Sequence, residues 1–221
     1  MELEYLIIGS ILVLFASILI DLTYKIFSKK KIVSGYTGKD VALKILNEYD
    51  IDVEVGRVSG NLTDYYNNAS GEIRLSDGIY DKSTVAAVAV AAHECGHAIQ
   101  YKDGYKPIIL RNMLIPVINF STIIGYVVIF ISIISSFFKS LLIPGIILIS
   151  LGIILEILTL PIEVNASRRA KKALLELEII EKREGFGVSL MLMSAAFTYF
   201  ASLVSSILQL IRLILIAKDN D

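Results

Sequence analysis

The sequence predicts a mainly α-helical membrane protein that carries a small α+β unit on the cytoplasmic side. Composition is the first reason, because 55% of the 221 residues are hydrophobic and the mean hydropathy is +0.67. The second reason is a set of four apolar runs, each close to or above the roughly 20 residues that a helix needs to cross a bilayer. The third is a polar segment between the first two runs, in which helical and strand-like patterns alternate. The formal net charge of −1 gives no electrostatic footprint of nucleic-acid binding.

Four transmembrane helices follow from the apolar runs. Only Lys139 and Ser140 separate the second run from the third, so these two are expected to form a helical hairpin. The predicted spans cover residues 3–27, 114–138, 141–160 and 189–217.

Basic residues set the predicted orientation. They follow the first span and cluster again between the third span and the fourth. Because cytoplasmic loops are rich in Lys and Arg, both termini are expected outside and the polar segment inside. The chain then divides into a first transmembrane helix at 1–28, a cytoplasmic α+β part at 29–113, a transmembrane hairpin at 114–161, a cytoplasmic helix at 162–188, and a fourth transmembrane helix with its tail at 189–221.

Local patterns in the polar segment predict two helices and three short strands. Thr37 can cap an amphipathic helix over residues 38–49. Turn-forming residues at 67–71 separate two strand candidates and indicate a hairpin, so a short antiparallel sheet is expected. Asp81 or Ser83 is expected to cap a second, longer helix. The strand candidates cover residues 52–58, 62–66 and 72–75.

The longer helix contains the motif His-Glu-Cys-Gly-His, and its two histidines are the only ones in the chain. Residues four apart lie on one face of a helix, so His93 and His97 can direct two imidazoles at one Zn²⁺ ion. Glu94 lies beside them, where a carboxylate can take a proton from water and pass it to a leaving amine. The motif therefore predicts two zinc ligands and a general base. The competing interpretation is two surface histidines on an ordinary helix.

A third ligand is needed, because a catalytic zinc site takes three protein ligands. No histidine remains, so the third would be a carboxylate. Glu163 is the best candidate, since it lies where the third span meets the cytoplasmic helix. A glutamate just after Pro161 is explained equally well as a favourable charge at the start of a helix. Ser167, one turn later, can hydrogen-bond to a ligand histidine.

Two segments resemble the YugP-like neutral zinc metallopeptidases of bacterial and archaeal membranes. They are His-Glu-Cys-Gly-His-Ala-Ile-Gln at 93–100 and Leu-Pro-Ile-Glu-Val-Asn-Ala-Ser at 160–167. Residues 74–76 and 195–199 match the same pattern, so the resemblance covers nearly the entire chain.

The resemblance implies a site as well as a family. By analogy with gluzincins such as thermolysin and the HtpX-type membrane proteases, the α+β unit would be gluzincin-like and Glu94 would be the general base. The implied zinc ligands are His93, His97 and Glu163. Where HtpX-type gluzincins have an aspartate four residues after the third ligand, this chain has Ser167.

The expected activity is zinc-dependent endopeptidase action on membrane or membrane-proximal proteins. The partners would then be protein or peptide substrates and the lipid bilayer, without nucleic acid. The main alternative is a non-catalytic interaction protein or scaffold that binds zinc structurally. A fourth protein ligand on the metal would favour that alternative.

Three further expectations concern neighbouring groups. Strand 72–75 is either plain sheet structure or an edge strand that holds an extended substrate. Glu156 in the third span could line a wet path to the zinc, but a pair with Arg212 in the fourth is favoured, because an unpaired charge inside a membrane costs on the order of a few kcal/mol. The candidates for stabilising an oxyanion are Tyr65, Tyr66, Asn112, Arg168 and Arg169.

Overall fold

The structure is a computed structural model that describes residues 2–134 and 136–219. Residues 1, 135, 220 and 221 lie outside this range, and so does the expected placement of the chain ends. The described helices are α1 (Glu2–Phe27), α2 (Gly38–Glu48), α3 (Val85–Lys102), α4 (Lys106–Ile134), α5 (Leu142–Glu176) and α6 (Gly185–Asp219), with a 3₁₀ helix at Ser136–Leu141. The strands are β1 (Glu54–Val58), β2 (Tyr65–Asn67) and β3 (Glu72–Ser76).

Four helices of the described chain are long and apolar enough to cross a membrane, as the sequence predicts. They comprise Leu3–Phe27, Lys106–Ile134, Phe138–Glu176 and Gly185–Lys218. The second span begins eight positions earlier than expected, so that α4 follows α3 after only a short turn. The 3₁₀ helix joins the second span to the third, which confirms the tight connection between them.

Helix α5 corrects the prediction of a break between the third span and the helix that follows it. It runs without interruption from Leu142 to Glu176, with Pro161 in its interior. A proline inside a helix removes one backbone donor, and helices in membranes tolerate this loss where neighbouring groups satisfy the freed carbonyl. Glu163 therefore lies deep inside a helix, and the helix-start explanation of this glutamate is wrong.

The chain forms two compact units. Unit 1 comprises Met1–Ser17, Lys106–Pro161 and Phe197–Asp221, and unit 2 comprises Ile18–Tyr105 and Ile162–Ala196. Helices α1, α5 and α6 each contribute residues to both units.

The sheet of unit 2 has the strand order β1-β3-β2 in the described chain. β2 pairs antiparallel with β3, which confirms the predicted hairpin. β1 pairs parallel with β3, with Glu54 opposite Glu72, so the expectation of a purely antiparallel sheet is wrong. Because β2 folds back along one side of β3, the other side is left for β1. β3 is therefore the central strand, so of the two interpretations of strand 72–75 plain sheet structure is confirmed and the edge strand is wrong.

Helix caps in unit 2 show where local chemistry sets the boundaries. Thr37 caps α2 as predicted, and its backbone N–H donates to Asp40 Oδ2 at 2.9 Å. The cap of α3 is Thr84, whose hydroxyl accepts from the Ala87 N–H at 3.3 Å. Thr84 has an extended backbone and a side-chain acceptor, as an N-cap requires. The prediction of a cap at 81 or 83 is therefore wrong by one to three positions.

Small residues let α3 pack closely in the core of unit 2. Gly96 lies so near α5 that a Cβ atom there would be 2.4 Å from the Ala166 carbonyl oxygen. No side chain fits in this space without moving the backbone. The buried alanines of the same helix are Ala86, Ala87, Ala89, Ala91, Ala92 and Ala98.

Unit 1 contains hydrogen bonds between membrane-spanning segments. Arg111 on α4 donates to the Thr159 hydroxyl on α5 at 2.8 Å. Glu156 accepts from Ser206 at 2.9 Å. The predicted ion pair between Glu156 and Arg212 is not among the contacts of the described residues, because a hydroxyl of α6 reaches this carboxylate instead.

Candidate metal centre

Helix α3 is buried on every side except one. Its partly exposed residues are Val90, His93, His97 and Tyr101, and of its other described residues only the terminal Lys102 is exposed. Positions three and four apart form one line along a helix. The buried faces pack against the core of unit 2. Solvent therefore reaches α3 along a single narrow stripe, and both motif histidines lie on it.

Three potential metal ligands converge at this stripe. Oε2 of Glu163 lies 3.1 Å from Nε2 of His93 and 3.7 Å from Nε2 of His97. The three ligand atoms all lie within 4.8 Å of one another. The imidazoles are 15% exposed and the carboxylate is 11% exposed, so the cluster is shielded but can be reached.

The two separations that involve Glu163 fit zinc. Ligand atoms about 2.1 Å from a tetrahedral ion lie about 3.4 Å from each other, and the separations of 3.1 Å and 3.7 Å lie on either side of that value. Two imidazole nitrogens and one carboxylate oxygen are also a donor set found at catalytic zinc. Within the described range, no fourth His, Cys, Asp or Glu joins the group. Three protein ligands leave one tetrahedral position for water or substrate.

Gln100 fixes the tautomer of His97. The Gln100 amide nitrogen donates to the Ile162 carbonyl at 2.8 Å, and a carbonyl can only accept, so the amide can take only one orientation. The amide oxygen then faces Nδ1 of His97 at 3.0 Å, and this nitrogen must carry the proton. Nε2 of His97 is left with a free lone pair directed toward Glu163, as a metal ligand requires.

Ser167 contacts the corresponding nitrogen of the other histidine. Its hydroxyl lies 3.2 Å from Nδ1 of His93, which confirms the predicted contact one turn beyond Glu163. A serine hydroxyl can accept this N–H as the aspartate of HtpX-type enzymes does, but without a negative charge. Both imidazoles are therefore oriented by a neutral side chain.

A hydrogen-bonded chain extends from His97 to the surface of unit 2. The Gln100 amide nitrogen also donates to Asn165 Oδ1 at 3.0 Å, and that oxygen accepts from Arg169 Nε at 2.8 Å. Arg169 completes the chain with an ion pair to Asp103. These contacts join α3 to α5. On α5 they lie at Ile162, before Glu163, and at Asn165 and Arg169, after it.

Glu94 is buried beside the cluster, and no described residue donates a hydrogen bond to it. Burial raises the pKa of its carboxyl above the usual range, and the charges of Asp64 and Glu163 act in the same direction, whereas the nearby histidines lower it. The pKa of His97 is also raised: burial lowers it, but the nearby carboxylates of Glu163 and Glu94 outweigh that effect. The carboxylate of Glu94 thus lies next to two imidazoles and accepts no hydrogen bond from a described residue.

Comparison with known proteins identifies the family. Residues 3–218 match the family described as "Putative neutral zinc metallopeptidase". The chain belongs to this family. A relative from Bacillus subtilis (strain 168), named "Putative membrane protease YugP", is 36% identical over 198 residues, which are 86% of this chain and 84% of the relative. No solved structure matches the chain.

As a member of the zinc metallopeptidase family, the chain brings together the residues that its sequence singles out. His93, His97 and Glu163 form one cluster, with Glu94 next to it. Sequence reasoning missed the positioning roles of Gln100 and Asn165. Both occur in the two segments that match the family, and a glutamine three residues after a ligand, surrounded by apolar residues, was the available signal.

Several candidates for stabilising an oxyanion are engaged elsewhere. Tyr66 donates to Asn68 Oδ1 at 3.0 Å, and Arg169 is held by Asn165 and Asp103. Arg168 is exposed on α5. Arg169 therefore contributes to the scaffold of the centre, and its guanidinium is not free to turn toward a substrate.

Proposed function

We propose that this protein is a zinc-dependent endopeptidase that hydrolyses peptide bonds of membrane or membrane-proximal proteins. Membership of the family indicates the class of enzyme, a zinc metallopeptidase. The observation that carries the proposal is the three-ligand cluster with a tetrahedral position left over, next to a buried glutamate without hydrogen-bond donors. A structural zinc site would instead be closed by a fourth protein ligand.

The chain's own residues divide the work. His93, His97 and Glu163 would hold the ion, which supplies Lewis acidity to water and to a peptide carbonyl when it is bound. Glu94 takes the proton from the attacking water and delivers it to the leaving amine. The carboxylate of Glu94 is buried beside the ligands, where a general base must lie to reach the attacking water.

An extended substrate would lie along the exposed stripe of α3. β3 is flanked by β1 and β2, so strand addition is available at β2, the edge strand that contacts α3. Tyr66 of β2 packs edge-on against Tyr101 of the stripe, with ring centroids 5.6 Å apart. Beside this pair lies a groove of about 550 Å³ that can take substrate side chains.

The distribution of basic residues between the spans supports an active site on the cytoplasmic side, with both termini outside. A reporter fused after Asp221 should therefore report an external location. A cysteine placed at the exposed Asn68 should be labelled only by reagents that enter the cytoplasm. The native Cys95 is fully buried and gives little background. The reverse labelling pattern would show that the topology is inverted.

The decisive experiment compares Glu94→Gln with Glu163→Gln in the full-length protein in detergent. Glu94→Gln removes the basic carboxylate but no ligand, so zinc content should stay near wild type while cleavage of a casein-like substrate falls about 10²–10⁴-fold. Glu163→Gln replaces a ligand with a neutral amide, so zinc and activity should fall together.

Each outcome has a definite meaning. Wild-type cleavage by Glu94→Gln would contradict the base assignment or reveal a contaminating protease. Full zinc and activity in Glu163→Gln would mean that the third ligand lies elsewhere. Stable zinc without cleavage of any protein by the wild type would favour the scaffold function.

A further inference from the structure

A second polar site lies in unit 1, at the end where the second span turns into the third. A cavity of about 450 Å³ opens there among α4, the 3₁₀ helix, α5 and α6. Most of its wall is aliphatic, and its charged lining residues are Lys139 and Arg212. None of the described lining residues is acidic. Among the described residues, the cavity therefore combines apolar walls with two positive charges that no acidic side chain compensates.

Arg212 is the unusual member of this wall. Its Nε atom is buried and has no hydrogen-bond partner, and no ion pair joins its guanidinium to another described residue. A guanidinium offers five N–H donors, and a buried donor without an acceptor costs on the order of 1–3 kcal/mol. Arg212 lies in a membrane-spanning helix, where lipid chains offer no acceptor. Its position in the cavity calls for an acceptor that the described residues do not supply.

The shape and charge of the cavity select the acceptor. A phosphate offers several oxygens to the forked guanidinium and to a second cation. The aliphatic walls suit an acyl chain and would gain nothing from a free ion. The exposed Lys139 belongs to the short turn between two spans, which puts it at the membrane surface with the headgroups.

We propose that this cavity binds one anionic phospholipid, with its phosphate between Arg212 and Lys139 and an acyl chain against the aliphatic wall. Ordinary snorkelling toward the bilayer surface would satisfy the tip of Arg212, but it would leave the buried Nε atom without an acceptor. Nε and a terminal nitrogen of a guanidinium lie side by side, so a phosphate seated in the cavity would accept from both. The site does not depend on the metal centre.

The test measures lipid retention by native mass spectrometry on the full-length protein released from detergent. Phosphatidylglycerol is the anionic probe, and phosphatidylcholine is the comparison with the same chains and no net charge. Arg212→Gln and Lys139→Gln remove one cavity cation each. Lys218→Gln, at the end of α6, removes an exposed cation that does not line the cavity and is the matched control.

Wild type should retain phosphatidylglycerol in preference to phosphatidylcholine. Arg212→Gln and Lys139→Gln should each weaken that retention about fivefold or more, while Lys218→Gln leaves it unchanged. Equal losses in all three variants would overturn the proposal in favour of diffuse charge attraction. Equal retention of the two lipids would overturn it in favour of lipid binding that does not depend on headgroup charge. Displacement of the lipid by millimolar inorganic phosphate would overturn it in favour of a simple ion site. If Arg212→Gln does not fold, Lys139→Gln against Lys218→Gln decides the result.

Discussion

The candidate metal centre of unit 2 and the charged groups of unit 1 differ in whether their buried polar side chains have hydrogen-bond partners. At the centre, Nδ1 of each histidine has a neutral side chain beside it, and Gln100 is held by a backbone carbonyl. In unit 1, Arg212 has no described partner, and one oxygen of Glu156 has none either. In the proposed zinc site, protein atoms orient the ligands before the small ion binds. In the proposed lipid cavity, the donors of Arg212 are left for a larger ligand.

Removal of the imidazoles is the strongest test of the preorganised region. The variant His93→Ala/His97→Ala loses two of three ligands, so zinc measured by elemental analysis should fall from about one ion per chain to nearly none. Val90→Ala is the control, because Val90 lies on the same stripe but has no ligand atom. Full zinc occupancy in the double variant would show that the metal binds elsewhere, and unit 2 would then have no preorganised metal site to compare with unit 1.

Gln100→Leu tests whether the positioning contacts matter. The substitution places an apolar side chain of similar size in a fully buried position and removes the acceptor for His97 Nδ1 and the donor to Ile162. Zinc affinity should fall about 10–100-fold, the usual effect of losing such a contact.

The control for Gln100→Leu is Gln209→Leu. Gln209 lies on α6 in unit 1, where its amide approaches Ser205, and its loss should leave zinc affinity unchanged. Affinity measured by competition with a zinc chelator would separate the two variants. Equal effects would mean that general destabilisation, and not tautomer control, weakens the metal site.

Gly96→Ala tests the packing that brings the two ligand helices together. The added methyl would meet the Ala166 carbonyl oxygen at 2.4 Å, so it should destabilise the protein by about 1–3 kcal/mol. Gly152→Ala is the matched change inside α5 in unit 1, where the nearest atom would be 3.8 Å away. Thermal unfolding in detergent should show a lower Tm for Gly96→Ala alone. A similar drop in Tm for both variants would indicate that close helix packing is not specific to Gly96.

The parts of the site that sequence could predict are those set by helical periodicity. His93 and His97 share a face because they are four residues apart, and Ser167 follows Glu163 by one turn. The choice of Glu163 needed the family resemblance, because the residues alone allowed a helix-start role. Only the uninterrupted path of α5 through Pro161 removes that alternative.

Pairings between distant segments could not be predicted. The parallel partner of β3 depends on which side the β2 hairpin leaves free, and local patterns carry no information about that choice. Gln100 acquires its role only from the backbone of Ile162, which lies 62 positions away. The expected Glu156–Arg212 pair failed for the same reason, since hydroxyls of α6 were equally available in sequence and closer in space.

The separation of the ligands along the chain also determines when the metal can be acquired. Glu163 follows His93 by 70 residues, and the contact that orients His97 comes from the same part of α5. During synthesis, the growing chain holds both imidazoles well before the carboxylate and the Ile162 carbonyl exist. Two unoriented histidines bind zinc weakly compared with the finished site. Under the proposed function, zinc uptake therefore waits until α5 has packed onto α3, and peptidase activity would begin only after the third span has been made.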